Sequence, residues 1–520
     1  MKRKLFLAVD LGTSFIKAGI YDLNSTCLAV WSEAVKDERP APGFFLQHGE
    51  DLYRAAVHCI ARCVAAIAEN ADQIDAMAFT GQMAGAIGVD EHWEDVTTWS
   101  CSLDSRYVPY ANEQRSRLER EFYEISGTNA PVMCAKYAWF KDAFPKKHCR
   151  IAKYVMLNGY MIGRLSGTSV ADATIDNSLI AWTGMADVQR GIWSETMIRE
   201  LKIDPVHLPK IVNCNTVCGY LGEKQAALLG LRAGIPLVAG AGDKVSGCVG
   251  SNILNYGDKI FEAASYGAIS ILVPEVHLDT ELRGYDVIGA ANKSDYYVHK
   301  YIQGSGVTID WFINTFAKDH DLTFAQAIAE MEKQASAVPP GSENMMAIGL
   351  LGGSAIPFNG ALRGCFMGHT WNHTKGHFYH SLLESFGYEL ALTLRSFNKN
   401  YPHLKGGPIK MIGGGAKSAV WGQILADITG DEFHVLSRKD SALWGCALLA
   451  ASGVGAISDI RGKAAEYVLT EKVFHPNEHN FARYAPYIDL YKNACDAVSD
   501  LCAQIHMKTK TEEGKLESKG

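Results

Sequence analysis

Apolar and polar positions along the chain repeat one order twice. Residues 5–10 form an apolar run that closes on Asp10, Gly12-Thr13-Ser14 is turn-forming, and 15–21 resumes apolar character, so a strand hairpin is predicted. Residues 51–70 carry apolar positions at helical spacing, and 76–79 is a short apolar strand ending in Thr80-Gly81-Gln82. Helical patterns, including 136–143 and 154–165, dominate residues 122–210. A strand at 236–239 then runs into Gly240-Ala241-Gly242-Asp243. After Asn255-Tyr256-Gly257 a second hairpin is expected, with strands 260–265 and 269–273 and Gly267-Ala268 at its turn. Helices at 308–316 and 377–398 follow, then a strand at 409–412, Gly413-Gly414-Gly415, and a helix from Ser418.

A hairpin followed by α/β alternation, met twice, predicts two similar lobes facing across a cleft. The expected division is 1–254, 255–506, and a charged tail at 507–520 that lacks apolar periodicity and reads as disordered. The length agrees, since 520 residues exceed what one core serves comfortably.

Composition narrows the function. At 48% hydrophobic and 21% charged residues the chain reads as globular, and a net charge of −7 leaves no cationic excess for nucleic acid or an anionic membrane. The opening MKRKLFLAV imitates an export signal, but Asp10 interrupts it early, and no run approaches the roughly 18 apolar residues of a spanning helix. Thirteen cysteines without zinc spacing suggest reduced thiols, and a cytoplasmic location is expected.

Phosphoryl transfer needs donors and a metal around nucleotide phosphates, a base beside the attacking hydroxyl, and exclusion of water. Asp10-Leu11-Gly12-Thr13-Ser14 sets a carboxylate at a strand end before a turn whose N–H and hydroxyl groups can face phosphate, with Lys17 on the returning strand. A plain hairpin is the structural alternative. Gly413 to Ser418 joins a strand to a helix and could admit a nucleotide to the backbone, or be only a flexible turn; it is not a dinucleotide fingerprint. Asp243, in a glycine-rich turn, is the candidate general base, and it could equally cap a helix. Gln82 and the pair Asp104/Arg106 stand at strand or loop ends where hydroxyl-binding groups are found.

Taken together and in order, these segments resemble the FGGY family of carbohydrate kinases, with the xylulokinase-like branch nearest. The resemblance spans about residues 5 to 500. It rests on VDLGTSFIKAGIYD at 9–22, TGQMAGAIGVD at 80–90, LVAGAGDKVSGCVG at 237–250 and MIGGGAKSAVWGQILADITG at 411–430. It implies two ribonuclease-H-like lobes of the actin and hexokinase type. ATP with Mg2+ would be the donor and a small ketose, a pentulose such as xylulose or ribulose, the acceptor.

Position by position, the resemblance implies that Asp10 orients the metal, that Gly12, Thr13, Ser14 and Lys17 serve phosphate, and that Asp243 takes the hydroxyl proton. Gly267, Gly306, Asp310, Gly414, Gly415 and Ala416 fall where the family holds ATP. Gln82, Met83, Asp104 and Lys244 fall near the sugar. Two departures bear on substrate and donor. Ala84 replaces a sugar-contacting histidine, and Ala268 removes a hydroxyl usually close to phosphate. Lys244 beside the base suggests a carboxylate-bearing or phosphorylated acceptor. Other polyols, hexuloses or sugar acids remain open, as does a non-transferring actin-like ATPase or sugar sensor. No nucleic-acid or membrane partner is expected, and a homodimer is left open.

Overall fold

The computed structural model describes residues 3–318 and 321–517. The first lobe is built on a six-stranded sheet of β1 (Leu5–Leu11), β2 (Phe15–Asp22), β3 (Cys27–Ala34), β4 (Ile74–Gly81), β5 (Val217–Tyr220) and β6 (Pro236–Gly242), in the order β5-β6-β4-β1-β2-β3. Strands β1, β4 and β6 are parallel, and β2 returns antiparallel beside β1. In β1 every side chain but that of Asp10 is buried, and in β4 every one but that of Asp75. Central parallel strands are covered on both faces and so read as unbroken apolar runs. The edge strand β3 is mostly exposed, which explains why no such run marks it. Helix α1 (Gly49–Ala66) covers the sheet with Leu52, Ala56, Cys59, Ile60 and Cys63, one stripe of a 3.6-residue period.

The second lobe repeats the plan. Its sheet comprises β7 (Lys259–Ala263), β8 (Gly267–Val273), β9 (Asp286–Gly289), β10 (Tyr296–Ile302), β11 (Ile409–Ile412), β12 (Phe433–Leu436) and β13 (Thr470–Phe474), in the order β9-β10-β8-β7-β11-β12-β13. The group β8-β7-β11-β12 matches β2-β1-β4-β6 in order and direction. The two-lobed ribonuclease-H-like expectation therefore holds.

The second hairpin corrects the sequence reading of its turn. Ala263 pairs with Gly267, so the turn is Ala264-Ser265-Tyr266, and Ala268 lies inside β8 at 2% exposure. Glycine is the usual turn marker, but here Gly267 opens the strand. Its missing side chain faces Ile302 and Ser305 at ordinary contact distance. The absent hydroxyl at Ala268 thus concerns a buried position, while Ser265 supplies an exposed hydroxyl at the turn itself.

Helix α2 (Asp243–Gly250) and helix α3 (Ser441–Gly453) lock the lobes together. A Cβ on Gly250 would lie 2.0 Å from the Ser441 carbonyl oxygen, and one on Gly445 would lie 1.9 Å from that of Ser246. Two backbones in contact leave no room for any side chain there. On its other face α3 lays Leu443, Trp444 and Ala447 against Phe6, Ala8, Ala76 and Ala78 of the first sheet. Helix α4 (Glu478–Glu517) continues through 507–517, the stretch read as an unstructured tail. Lys and Glu are good helix formers and extend a helix without an apolar stripe. Residues 518–520 of that tail lie outside the described residues. Among the described residues no helix is long and apolar enough to cross a membrane.

Candidate functional site

Parallel register sets three strand ends level. Asp10 is opposite Thr80, Thr80 is opposite Ala241, and Gly81 is opposite Gly242. Asp10, Gln82 and Asp243 therefore leave the sheet at one edge, where ligands of open α/β sheets bind. Asp243 is the first residue of α2 and half-buried. Its Oδ1 accepts the backbone N–H of Lys244 at 2.7 Å, which leaves Oδ2 available. Burial raises the Asp243 pKa, the Lys244 charge opposes that shift, and Glu262 of the second lobe adds to it. Asp10 is pushed up to about 6 by burial and then by the charge of Asp243, with Lys17 and Lys244 opposing. The two carboxylates thus lie in each other's field.

The turn carrying Asp243 is tightly supported. A Cβ at position 242 would come within 2.5 Å of Met83 Cγ, so glycine lets the methionine lie against the base's own turn. The Gly242 N–H donates to Ser178 Oγ at 2.9 Å, and Ser178 in turn donates its hydroxyl and its backbone N–H to Asp176. Asn158 Nδ2 donates to Asp176 Oδ2 at 3.4 Å and to the Phe79 carbonyl at 3.3 Å, tying β4 to the same cluster. Burial pushes Asp176 up to about 6, against the pull of the Ser178 hydrogen bonds. These residues escape a motif search. Their signal was Asp176-Asn177-Ser178 inside the apolar context of Ile175 and Leu179-Ile180.

Lys244 is not a free cation. Its ammonium forms an ion pair with Glu262 of β7, joining the two lobes beside the candidate base. Burial works against the Lys244 charge, but Glu262 and Asp243 outweigh it and raise its pKa. Glu262 was legible only as a lone acid in the apolar strand Ile260-Phe261-Glu262-Ala263. Tyr301 of β10 stacks on Tyr266 at 5.5 Å between ring centroids and feels the charges of both Lys244 and Asp243.

Gln82 accepts the Trp99 indole N–H at 3.2 Å, and its own buried Nε2 has no partner among the described residues. Thr80 Oγ1 and Gln47 Oε1 are likewise buried and unpaired, while Gln47 Nε2 donates to the Thr13 carbonyl at 2.9 Å. Unspent polar groups at strand ends suit a polyhydroxylated ligand.

Asp104 differs from expectation. It is fully buried, and its oxygens are taken by Arg106 Nε and Nη2 at 2.8 Å each and by Ser100 Oγ at 2.8 Å. Lys136 donates to Ser100 Oγ at 2.7 Å and the Cys101 carbonyl at 2.9 Å, and burial brings its pKa down to about 7. This network shapes the loop beside Gln82.

The second lobe supplies a backbone cradle. Gly413 has φ +97°, and a Cβ there would meet the Ala263 carbonyl oxygen at 2.6 Å. Gly414 opens onto empty space, whereas Gly415 is required by Trp421, whose ring would lie 2.2 Å from a Cβ. Ala416 is 8% exposed behind them. The N–H of Gly306 donates to the Ala264 carbonyl at 3.1 Å, and the buried Ser305 Oγ beside Gly267 has no partner among the described residues. Asp310 is exposed on the helix Gly306–Phe312, and Ser14 and Lys17 are exposed at the first hairpin, with Gly12 and Thr13 half-buried in its turn.

These residues fit a magnesium nucleotide. Two half-buried carboxylates in mutual repulsion gain from a divalent cation. Mg2+ is usually held by one or two carboxylates, water and phosphate, and Asp10 and Asp243 bring two carboxylates to one edge of the sheet.

Comparison with known proteins agrees with the geometry. Residues 5–250 match the N-terminal domain of the FGGY family of carbohydrate kinases, and 271–454 match its C-terminal domain. The chain is 25% identical over 505 residues to the xylulose kinase of Bacillus subtilis (strain 168), covering 96% of this chain and 98% of that one. It is 26% identical over 513 residues to an autoinducer-2 kinase of Klebsiella pneumoniae subsp. pneumoniae, covering 92% and 91%. In structure it is similar to the gluconate kinase of Lactobacillus acidophilus, with a TM-score of 0.87 and 22% identity over 97% of this chain and 100% of that one. Two matching domains in sequence order, on two lobes joined by Lys244 and Glu262, establish that this chain belongs to the FGGY family of carbohydrate kinases.

Proposed function

We propose that this carbohydrate kinase transfers the terminal phosphate of ATP to a hydroxyl of a small neutral ketose or polyol, a pentulose foremost, with Asp243 as general base. The observation that carries this reading is the Asp243 carboxyl. It has one oxygen fixed by the Lys244 N–H and the other unclaimed, with its pKa raised toward working pH by burial, at the strand edge it shares with Gln82. Bound Mg-ATP supplies the phosphoryl group and the cation that offsets its charge. Asp243 Oδ2 accepts the proton of the acceptor hydroxyl, and Gln82 Nε2, with no partner among the described residues, donates to another acceptor oxygen. Asp10 would hold the metal through its waters, and Gly414 and Ser265 would receive the nucleotide. Met83, packed on Gly242, orients the acceptor over the base.

The state of Lys244 supports neutrality of the acceptor. Its charge is matched by Glu262, so Lys244 offers no free charge to an acceptor carboxylate beside Asp243. A sugar-acid acceptor is the second reading, and it requires Lys244 to leave Glu262. ADP release measured over a panel of ketoses, polyols and aldonates separates the two. The expected result is a kcat/KM at least about tenfold higher for a neutral pentulose or polyol than for any aldonate. Preference for an aldonate refutes the first reading, and ADP release indifferent to every acceptor refutes phosphotransfer.

A further inference from the structure

Away from the cleft a second cavity, of about 440 Å³, opens between the lobes. Lys153 and Lys210 of the first lobe and Lys293 of the second line it, together with Trp193, Ile192 and Leu208, and no Asp or Glu is among its lining residues. Lys153 donates to the Leu208 carbonyl at 2.9 Å. Neither the Lys210 nor the Lys293 ammonium forms an ion pair or hydrogen bond among the described residues, and both residues are exposed. Two acids close by in the chain are held in place by hydrogen bonds of their own, which fix their direction without cancelling their charge. Asp295 accepts from Tyr256 Oη at 3.0 Å and Asn292 Nδ2 at 3.1 Å, and Asp187 accepts the Arg190 N–H at 2.9 Å. Asp172 adds some opposing charge near Lys153.

Three lysines lining one cavity, with no Asp or Glu in the lining, make its wall favourable to an anion. A protein with a net charge of −7 has acids to spare, so their absence from this wall carries weight. The other walls are apolar, and Trp193 is anchored by its indole N–H to the Pro209 carbonyl at 2.8 Å, so its position is fixed. Across the lobe boundary, Lys293 lies over Gly191, where a Cβ would come within 2.5 Å of Lys293 Cε. A ladder runs from this wall to the candidate base. Lys210 pairs with Thr174 and Val212 with Asp176, and Asp176 holds Ser178, which accepts the Gly242 N–H.

We infer that this cavity is a second ligand site, taking a small phosphorylated molecule with an apolar or planar body. Its phosphate is held by Lys210 and Lys293 and its body lies against Trp193. Because the lysines come from both lobes, occupancy ties the lobes together on the side away from the nucleotide.

The test uses the full chain saturated with Mg-ADP, so that the catalytic phosphate sites are filled, and titrates 1-naphthyl phosphate and inorganic pyrophosphate by calorimetry at constant ionic strength. Saturable binding of naphthyl phosphate is expected, weakened roughly tenfold by Lys210→Gln or Lys293→Gln and further by both together. Trp193→Phe should weaken naphthyl phosphate and leave pyrophosphate unchanged. All three positions contact solvent, and an unchanged melting temperature confirms that each variant is folded. No binding above a chloride control, or binding that the double lysine variant leaves unaltered, overturns the inference. Binding of pyrophosphate alone overturns the assignment of an apolar-bodied ligand.

Discussion

Replacing Asp243 by asparagine isolates its chemistry from its structural role. Asn keeps the shape and an Oδ1 that still accepts the Lys244 N–H, the contact seen at 2.7 Å. What disappears is the charge that can take a proton. A positioned general base contributes about 10² to 10⁴ in rate, which at about 1.36 kcal/mol per decade corresponds to about 2.7–5.4 kcal/mol in the barrier. The substitution also removes a charge that raises the Asp10 pKa and one that raises that of Lys244. The folded protein loses one repulsion and one attraction, so stability should change little. Coupled ADP release at saturating ATP and acceptor should show kcat lowered by at least about a hundredfold, with the melting temperature within a few degrees of the parent. A kcat within tenfold of the parent would refute Asp243 as base. A collapse of melting temperature together with activity would mean that the carboxylate is structural.

Other expectations rest on separate contacts. Lys244→Met leaves Glu262 and Asp243 without their shared cation, so the Asp243 pKa rises and the acid limb of the kcat/KM profile moves to higher pH, whereas Glu262→Gln moves it lower; an unmoved limb in both variants contradicts the electrostatic picture. Gly445→Ala forces a Cβ to 1.9 Å from the Ser246 carbonyl. It should cost about 3 kcal/mol, or about 6–12 °C in a thermal melt, and a neutral result would show that the helix crossing is loose.

Asp286, which accepts the Thr128 hydroxyl at 2.5 Å across the lobes, has its pKa raised by burial from 3.8 to about 7. The folded state then holds its proton more tightly than the unfolded chain, so this group's contribution is intact below about pH 4 and is lost as pH rises to about 7. The ceiling is about 4 kcal/mol. Asp286→Asn should flatten the fall in melting temperature between pH 5 and 8, and an equal slope in both proteins would disprove the assignment.

Much of this molecule could be read from its sequence because its most informative segments are local. A central parallel strand is covered on both faces, so β1 and β4 announce themselves as apolar runs, and Asp10 stands out as the interruption at the end of one. Gly240, Gly242, Gly413 and Gly415 mark close approach whichever partner makes it necessary. Strand β3 was not legible, because an exposed edge needs no apolar pattern. The second hairpin's turn was misplaced for a related reason. Glycine there serves packing beside Ile302 and Ser305, while Ala264-Ser265-Tyr266 makes the turn.

The chain by itself determined the order of elements, the duplicated plan and the carboxylates at the strand ends, since each depends on neighbours within about ten residues. Tertiary structure alone decided what those groups meet. Glu262 reaches Lys244 from 18 residues away and from the other lobe, Arg106 and Ser100 consume the oxygens of Asp104, and Asp176, at the end of the strand Thr174–Asp176, supports the turn of Asp243 through Ser178. An ionisable group's charge and pKa depend on burial and on partners brought together through space, and periodicity along the chain carries no record of either.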